Sequence, residues 1–305
     1  MGIPATMRAL QQRSCNGPQD MGLVTDAPVP RPGEGEVLIR VGAAGVNFAD
    51  LSKARGTFRD GPRPPYLAGF EAAGEIVAVG GAVTGAQQGE HVVGVGSGAF
   101  AEYTVLPAAA ALPVPPGWTD QQALGLVVNW PTAVAALRHL GGVTAGQTVL
   151  VHAAAGATGQ AAVRVAKHVG ATVIASASLG KHEAVSGLGA DHVLDSRRAD
   201  IAAEVLRLTD GAGVDVVLES AGGEASITNW DLVYRHQVHV IGFNLGVLVE
   251  AAPQVFGAVM IELLSLLAAG VVAPGRPTVY DLADGPKALA ELESRSTVGK
   301  LALVP

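Results

Sequence analysis

The sequence predicts an α/β protein in two parts, a β-rich N-terminal region and a doubly wound parallel sheet. Three observations carry this. Short β-branched runs punctuated by Gly and Pro fill the chain to about residue 118. From Asp120, near-continuous apolar runs alternate with amphipathic stretches, the pattern of a parallel sheet covered on both faces. A loop of small residues, HAAAGATGQ, follows the first of those runs. The length, 305 residues, fits two domains at roughly 100–200 residues each.

In order, the strands expected in the first part are Glu36–Val46, Gly74–Gly80, Glu90–Gly96 and Phe100–Leu106. PVPRPGEGE (Pro28–Glu36) and LPVPPGWT (Leu112–Thr119) read as turns, the second a domain boundary. A helix is then expected over Asp120–Leu140, with Thr119 or Asp120 as N-cap. The alternation continues with strand Thr148–His152, helix Thr158–Val169, strand Ala171–Ser176 and helix Lys181–Leu188. Strand Asp191–Asp195, helix Asp200–Leu208 and strands Val214–Ser220 and Val238–Asn244 follow. Helix Pro253–Ala269 leads to a tail ending Gly299–Val304. The domains expected are 1–119, 120–268 and a C-terminal stretch, 269–305.

Composition excludes several classes. A net charge of −7 disfavours a protein that coats nucleic-acid phosphates. The single cysteine, Cys15, rules out a disulfide framework and any multi-cysteine zinc site, and makes a reducing cytoplasmic location the expectation. Mean hydropathy is +0.35, yet no membrane span is expected. The stretch Ala123–Leu137 contains Asn129 and Pro131, and Val255–Val272 carries Glu262 near its middle. The first 20 residues lack the apolar core of a signal peptide, and Thr6 matches a myristoylation signal only weakly. The eight histidines show no i, i+4 metal-binding pair and read as scaffold.

The loop reads Ala153-x-x-Gly156-x-x-Gly159 between strand and helix. Small residues there let backbone approach a pyrophosphate, which the helix N-terminus then faces. Ala153 replaces the first Gly of the usual fingerprint, and a merely structural tight turn is the competing reading. Ala155, Gly156, Ala157, Thr158 and Gly159 are the candidate dinucleotide contacts. NAD enzymes place an acid about 20 residues further on to hold the ribose 2′-hydroxyl. No acid lies between Ala171 and Gly180. Ser176, Ser178 and Lys181, with Arg197 or Arg198, are candidate donors to a 2′-phosphate instead, which makes NADPH the expected cofactor. The alternative is an ordinary solvated Ser and Lys at a helix start.

These residues, with AGVNFADL (Ala44–Leu51), PYLAGFEAAGEIVAVG (Pro65–Gly80), PTAVAAL (Pro131–Leu137), LGADHVLD, VDVVLESAGG and VGKLALV, resemble the medium-chain dehydrogenase/reductase superfamily. The similarity is to its zinc-independent quinone oxidoreductase branch, which includes zeta-crystallin, and covers nearly the whole chain. It implies a GroES-like β-rich domain around a Rossmann domain, an active cleft between them, and a C-terminal return to the first domain. Zinc-dependent relatives have a Cys where this chain has Asn47, and Gly-His-Glu where it has Gly69-Phe70-Glu71, so no metal is expected. The resemblance also implies that Asn47 and Asp50 belong to the catalytic motif and that Thr132 contacts the nicotinamide ribose region. Phe243 is placed near the ring, Lys300 joins the cofactor contacts, and Phe48, Tyr66 and Trp130 line the substrate pocket. Asn47 and Asp50 as turn and helix-cap residues, and Phe243 as core, are the plainer alternatives.

The implied activity is hydride transfer from NADPH to a quinone or related conjugated carbonyl. An enoyl-thioester or alkenal reductase is the rival, and an NADPH-binding protein with little turnover the alternative of another class. Phe48 offers no hydroxyl, so water is the expected source of the second proton. Only 17 residues, Ala221–Gln237, separate the last two expected sheet strands. That is room for one crossover, about 20 residues short of the family's pattern. A true deletion and an omitted stretch both explain the shortfall. A homodimer through the last sheet strand is expected.

Overall fold

A computed structural model describes residues 2–197, 200–220 and 240–305. The chain divides into two compact units, Met1–Val127 with Pro274–Pro305, and Val128–Ala273.

The first unit opens with β1 (Thr6–Gln12), β2 (Met21–Pro28) and β3 (Glu36–Val46). Helix α1 (Phe48–Ala54) and strands β4 (Tyr66–Leu67), β5 (Glu71–Val79), β6 (His91–Val95), β7 (Tyr103–Pro107) and β8 (Leu112–Pro113) follow. The short α2 spans Asp120–Ala123, with the Thr119 hydroxyl accepting from Gln122 N–H as its N-cap. The long β3 is central, pairing antiparallel with β5 and β7. Its Val37, Ile39, Val41, Ala44 and Val46 pack with Ile76, Phe100 and Leu106 into one core. Strands β1 and β2 were not expected from the sequence. The run TMRALQQ has few β-branched residues, and pairing with β2 and β4 rather than propensity makes it a strand.

The second unit starts with α3 (Asn129–Val134), which runs on as a wider π turn over Ala135–Leu140. The single helix expected over Asp120–Leu140 is therefore broken. Leu124 leaves helical geometry and Gly125 takes a positive φ of 94°, which a continuing helix does not allow. Strands β9 (Thr148–Val151), β10 (Thr172–Ala177), β11 (His192–Asp195) and β12 (Val216–Leu218) alternate with α4 (Ala157–His168), α5 (His182–Ser186) and α6 (Ile201–Leu208). The four strands form a parallel sheet in the order β11-β10-β9-β12.

The strand expected at Val238–Asn244 is corrected where it is described. Residues 240–244 carry no strand, and Val240 and Ile241 lie exposed before α7 (Leu245–Ala251). An apolar run becomes a strand only where a neighbour offers a ladder, and none of the described strands pairs with it. The short segment 221–237 lies outside the described residues. Helix α8 (Pro253–Ala268) follows, and its Glu262 is held by Arg138 Nε at 2.9 Å. Among the described residues, no single helix is long and apolar enough to cross a membrane.

The chain then returns to the first unit through β13 (Thr278–Asp281), α9 (Gly285–Glu293) and β14 (Leu301–Val304). β14 pairs antiparallel with β3, which completes a seven-stranded sheet and brings Leu301 and Leu303 into its core.

Candidate functional site

In the second unit the loop leaving β9 is shaped by its smallest residues. Ala153 adopts φ +50°, a left-handed conformation that costs about 1–2 kcal/mol without glycine. This bend turns the chain so that Ala154 N–H donates to the Ser176 carbonyl at 3.1 Å and Gly156 N–H to that of Ala153 at 2.9 Å. A Cβ at Gly159 would press on the Ala153 carbonyl and lie 2.7 Å from Ala154 Cα, so only glycine lets α4 sit this close to the loop. A Cβ at Gly156 would meet nothing nearer than 3.4 Å, so the chain's own packing does not demand glycine there. Gly156 is the N-cap of α4 and supplies no side-chain acceptor. The first N–H groups of a twelve-residue helix, from Ala157, Thr158 and Gly159, are thus left for an anion.

Around this turn the side chains are fixed. Asn129 Nδ2 donates to Thr158 Oγ1 at 3.0 Å, and Gln160 Nε2 to the Ala155 carbonyl at 3.0 Å. Asn129 was not singled out for a site. Its signal was only that it is a polar residue in the apolar run Ala123–Leu137. Thr132 Oγ1 donates to the Val128 carbonyl at 2.6 Å, an ordinary helix back-bond. Trp130 and Phe243 are half-buried.

Of the residues proposed for a 2′-phosphate, Ser176 is 1% exposed and its Oγ meets His152 Nδ1 at 2.8 Å. It is a buried residue of a strand covered on both faces, buried from Val173 to Ala177, and is corrected from an external donor to an internal one. Ser178 opens the turn Leu179–Lys181 and is partly exposed. Lys181, half-buried, holds its proton less tightly because of burial and then because of neighbouring Arg197. Two cations and a hydroxyl thus gather beyond the ends of β10 and β11. Asp195 lies beside Ala177 in register, and its Oδ1 accepts from Arg197 N–H at 3.1 Å. Arg198 lies outside the described residues.

In the first unit the other candidates form a buried polar knot. Glu71, fully buried at the start of β5, accepts from Lys300 Nζ at 2.5 Å, Asn47 Nδ2 at 2.8 Å and Gly125 N–H at 2.5 Å. Asn47 Oδ1 accepts from Lys300 Nζ at 2.6 Å, and its Nδ2 also donates to the Gly45 carbonyl at 3.2 Å. Asn47 is the N-cap of α1, and Asp50 Oδ2 accepts its N–H at 2.9 Å, one half of a capping box. Lys300, expected among cofactor contacts, here has its ammonium on Glu71 and Asn47. Asp50 is 3% exposed and its Oδ1 has no hydrogen-bond partner. Burial pushes its carboxyl up to about 7 against the pull of Asn47 N–H and Lys53. Phe48 is 59% exposed. Tyr66 packs on the core, and burial, then Asp50, raises its phenol to about 12. Lys53 Nζ stands 4.2 Å from the Phe70 ring centroid and 5.3 Å from that of Phe58. Glu71, the centre of this knot, was not singled out, because in sequence it is one more charge at a strand end. Among the described residues no group of three His, Cys, Asp or Glu side chains gathers to hold a metal.

A strand–glycine loop–helix turn on a parallel sheet in one unit, and a buried polar centre in a separate β-rich unit, fit a dinucleotide-binding protein of two units. Residues 33–116 match the family described as "Alcohol dehydrogenase GroES-like domain", and residues 157–262 the one described as "Zinc-binding dehydrogenase". The chain is 30% identical over 322 residues to human synaptic vesicle membrane protein VAT-1 homolog, covering 92% of this chain and 81% of that one. It is 36% identical over 321 residues to erythronolide synthase EryA2 of Saccharopolyspora erythraea, covering 98% of this chain but spanning only 9% of that relative's length. Among solved structures, a mycobacterial protein complexed with NADPH superposes with a TM-score of 0.89 at 29% identity, covering 98% of this chain and 100% of that one. The enoyl reductase CurK superposes at 0.88 and 28% identity, with 98% and 99% covered. The chain belongs to the medium-chain dehydrogenase/reductase superfamily, in its zinc-independent quinone oxidoreductase-like branch.

Proposed function

We propose that the chain is an NADPH-dependent oxidoreductase that passes hydride, without zinc, to a quinone or a related α,β-unsaturated carbonyl. The observation that carries this reading is the uncapped N-terminus of α4 behind a loop that only Gly159 permits. Ser178, Lys181 and Arg197 support the choice of NADPH. They gather past β10, where an NAD enzyme needs a carboxylate, and each donates to a phosphate. When bound, the reduced nicotinamide supplies the hydride. The chain's own residues do the rest. The α4 N–H groups take the diphosphate, and Glu71 with Lys300 holds Asn47 and the start of α1. A quinone or enone needs little metal activation, because the incoming charge spreads onto its oxygen.

The second reading, an enoyl-thioester reductase, is favoured by the likeness to a polyketide synthase and to the enoyl reductase CurK. Single-turnover loss of NADPH absorbance with a panel of quinones, enones and enoyl thioesters ranks the two. Binding with no oxidation by any acceptor overturns both. Replacing Lys181 by Ala weakens NADPH binding by roughly 10-fold, about 1.4 kcal/mol, and leaves NADH binding unchanged. Equal loss for both coenzymes overturns the choice of NADPH. We also propose a homodimer, to be tested by light scattering.

A further inference from the structure

The turn between β1 and β2 carries the only Asn-Gly pair of the chain, Asn16-Gly17. We propose that this pair is a self-modifying site. In the folded protein Asn16 closes onto the Gly17 nitrogen, loses ammonia and reopens as aspartate or isoaspartate. The site lies wholly within the first unit and does not depend on the reductase reading.

Such a closure needs an amide open to water and a following backbone nitrogen that is neither shielded nor engaged. Asn16 is exposed, and among the described residues nothing accepts the Gly17 N–H. Position 17 also demands glycine. Its φ is +127°, and a Cβ there would lie 2.5 Å from the Arg55 guanidinium and 2.7 Å from Gln19 Oε1. No side chain shields the nitrogen unless that guanidinium moves. Arg55 is clamped in place by Glu293, with Nε to Oε1 at 3.0 Å and Nη2 to Oε2 at 2.9 Å.

The peptide bond joining the pair is polarised as well. Arg55 Nη1 donates to the Asn16 carbonyl, and Gln19 Nε2 donates to the same oxygen at 2.8 Å. Two donors on that oxygen draw electron density out of the amide by resonance and make its N–H more acidic. The deprotonated nitrogen is the attacking species, so Arg55 favours the reaction.

Hydroxide takes the Gly17 amide proton, and the nitrogen lone pair bonds to Asn16 Cγ. The Cγ–Nδ2 bond breaks, and Nδ2 takes a proton from water and leaves as ammonia. Water then adds to one of the two carbonyls of the cyclic imide, and the C–N bond broken decides between aspartate and isoaspartate. Gly17 regains its proton, and nothing is oxidised or reduced.

The turn is sensitive to either product. Asn16 Nδ2 donates to Asp20 Oδ2 at 3.0 Å, and the Ser14 hydroxyl, then this amide, hold the Asp20 carboxyl below its ordinary range. Both products put a carboxylate where that donor was. Attraction becomes repulsion. Isoaspartate also adds a methylene to the main chain just before Gly17, whose carbonyl accepts from Gln12 Nε2 at 2.8 Å.

The test ages the full, folded chain in mildly alkaline buffer made with heavy-oxygen water and maps its peptides by mass spectrometry. Asn16 is expected to lose its amide and take up the heavy oxygen, while Asn47, Asn129 and Asn244 stay intact. An unchanged Asn16 overturns the proposal. Equal loss at all four overturns it too, because that pattern marks reaction of the unfolded chain. Arg55→Met is expected to slow the conversion roughly 10-fold, about 1.4 kcal/mol in the barrier, and a rate equal to or above wild type overturns the activation by Arg55. Should that variant fail to fold, the wild-type peptide map still decides. Asn16→Asp reproduces one product, and nuclear magnetic resonance titration is expected to show its Asp20 carboxyl shifted upward. An unmoved Asp20 overturns the consequence drawn for the turn.

Discussion

The α4 turn and the Glu71 knot are both small and polar, yet they are built in opposite ways. At the turn, backbone shape is fixed and polar groups are left open: Gly159 admits the helix, and Gly156 adds no cap. In the knot, side chains are fixed and every polar atom but one is engaged: Glu71 has three donors, and Asn47 donates and accepts at both ends of its amide. The first arrangement waits for an anion. The second holds α1, β5 and β14 in register and needs none. Asp50 Oδ1 is the exception.

Four substitutions test that contrast. Glu71→Ala leaves the Lys300 ammonium buried without its partner, at a cost of about 3–5 kcal/mol. Thermal unfolding is expected to show a large fall, with NADPH affinity of the folded fraction unchanged. Gly159→Val has the reverse signature. NADPH binding falls by about 100-fold, with about 1–3 kcal/mol lost to overpacking, and isothermal titration beside thermal melts reads both.

Asp50→Asn sharpens the account of the orphaned carboxyl. With the folded group raised to about 7 and the unfolded one at 3.8, the folded state binds the proton more tightly. This group's contribution is therefore complete below about pH 4 and is lost as pH rises towards 7. The variant removes that slope and gains on the order of a few kcal/mol at pH 8, measured by denaturant midpoints across pH. A wild-type stability that does not fall across this window more than the variant's argues that Asp50 stays ionised. The smallest effect is Ala153→Gly, which relieves a left-handed alanine and is expected to stabilise by up to about 1 kcal/mol without changing coenzyme affinity.

Much of this was legible in the sequence, for identifiable reasons. The β3 run EVLIRVGAAGV and the βαβ pattern from Thr148 to Leu218 declare themselves, because buried strands need uninterrupted apolar, β-branched residues. The loop was readable because the close approach at Gly159 demands a particular residue. What stayed hidden depends on partners distant in sequence. β1 is a strand only because β2 and β4 pair with it. Ser176 read as a donor to a phosphate because the cover over both faces of β10, and the imidazole of His152 beside it, cannot be read from the chain. Glu71 gave no sign that it would gather Gly125, 54 residues on, and Lys300, 229 residues on. The described part of that expected strand, residues 240–244, failed for the same reason: composition supplies the apolar run, but none of the described strands bonds with it.

The first unit is interrupted, its sheet closed by β14 only after the whole second unit has been threaded through. During synthesis Glu71 therefore emerges from the ribosome more than two hundred residues before its cation does. Until position 300 is released, the nascent β-rich half carries an uncompensated acid where its interior should form. The second unit, contiguous in the chain, is free to mature first, and the older half must wait for the youngest strand.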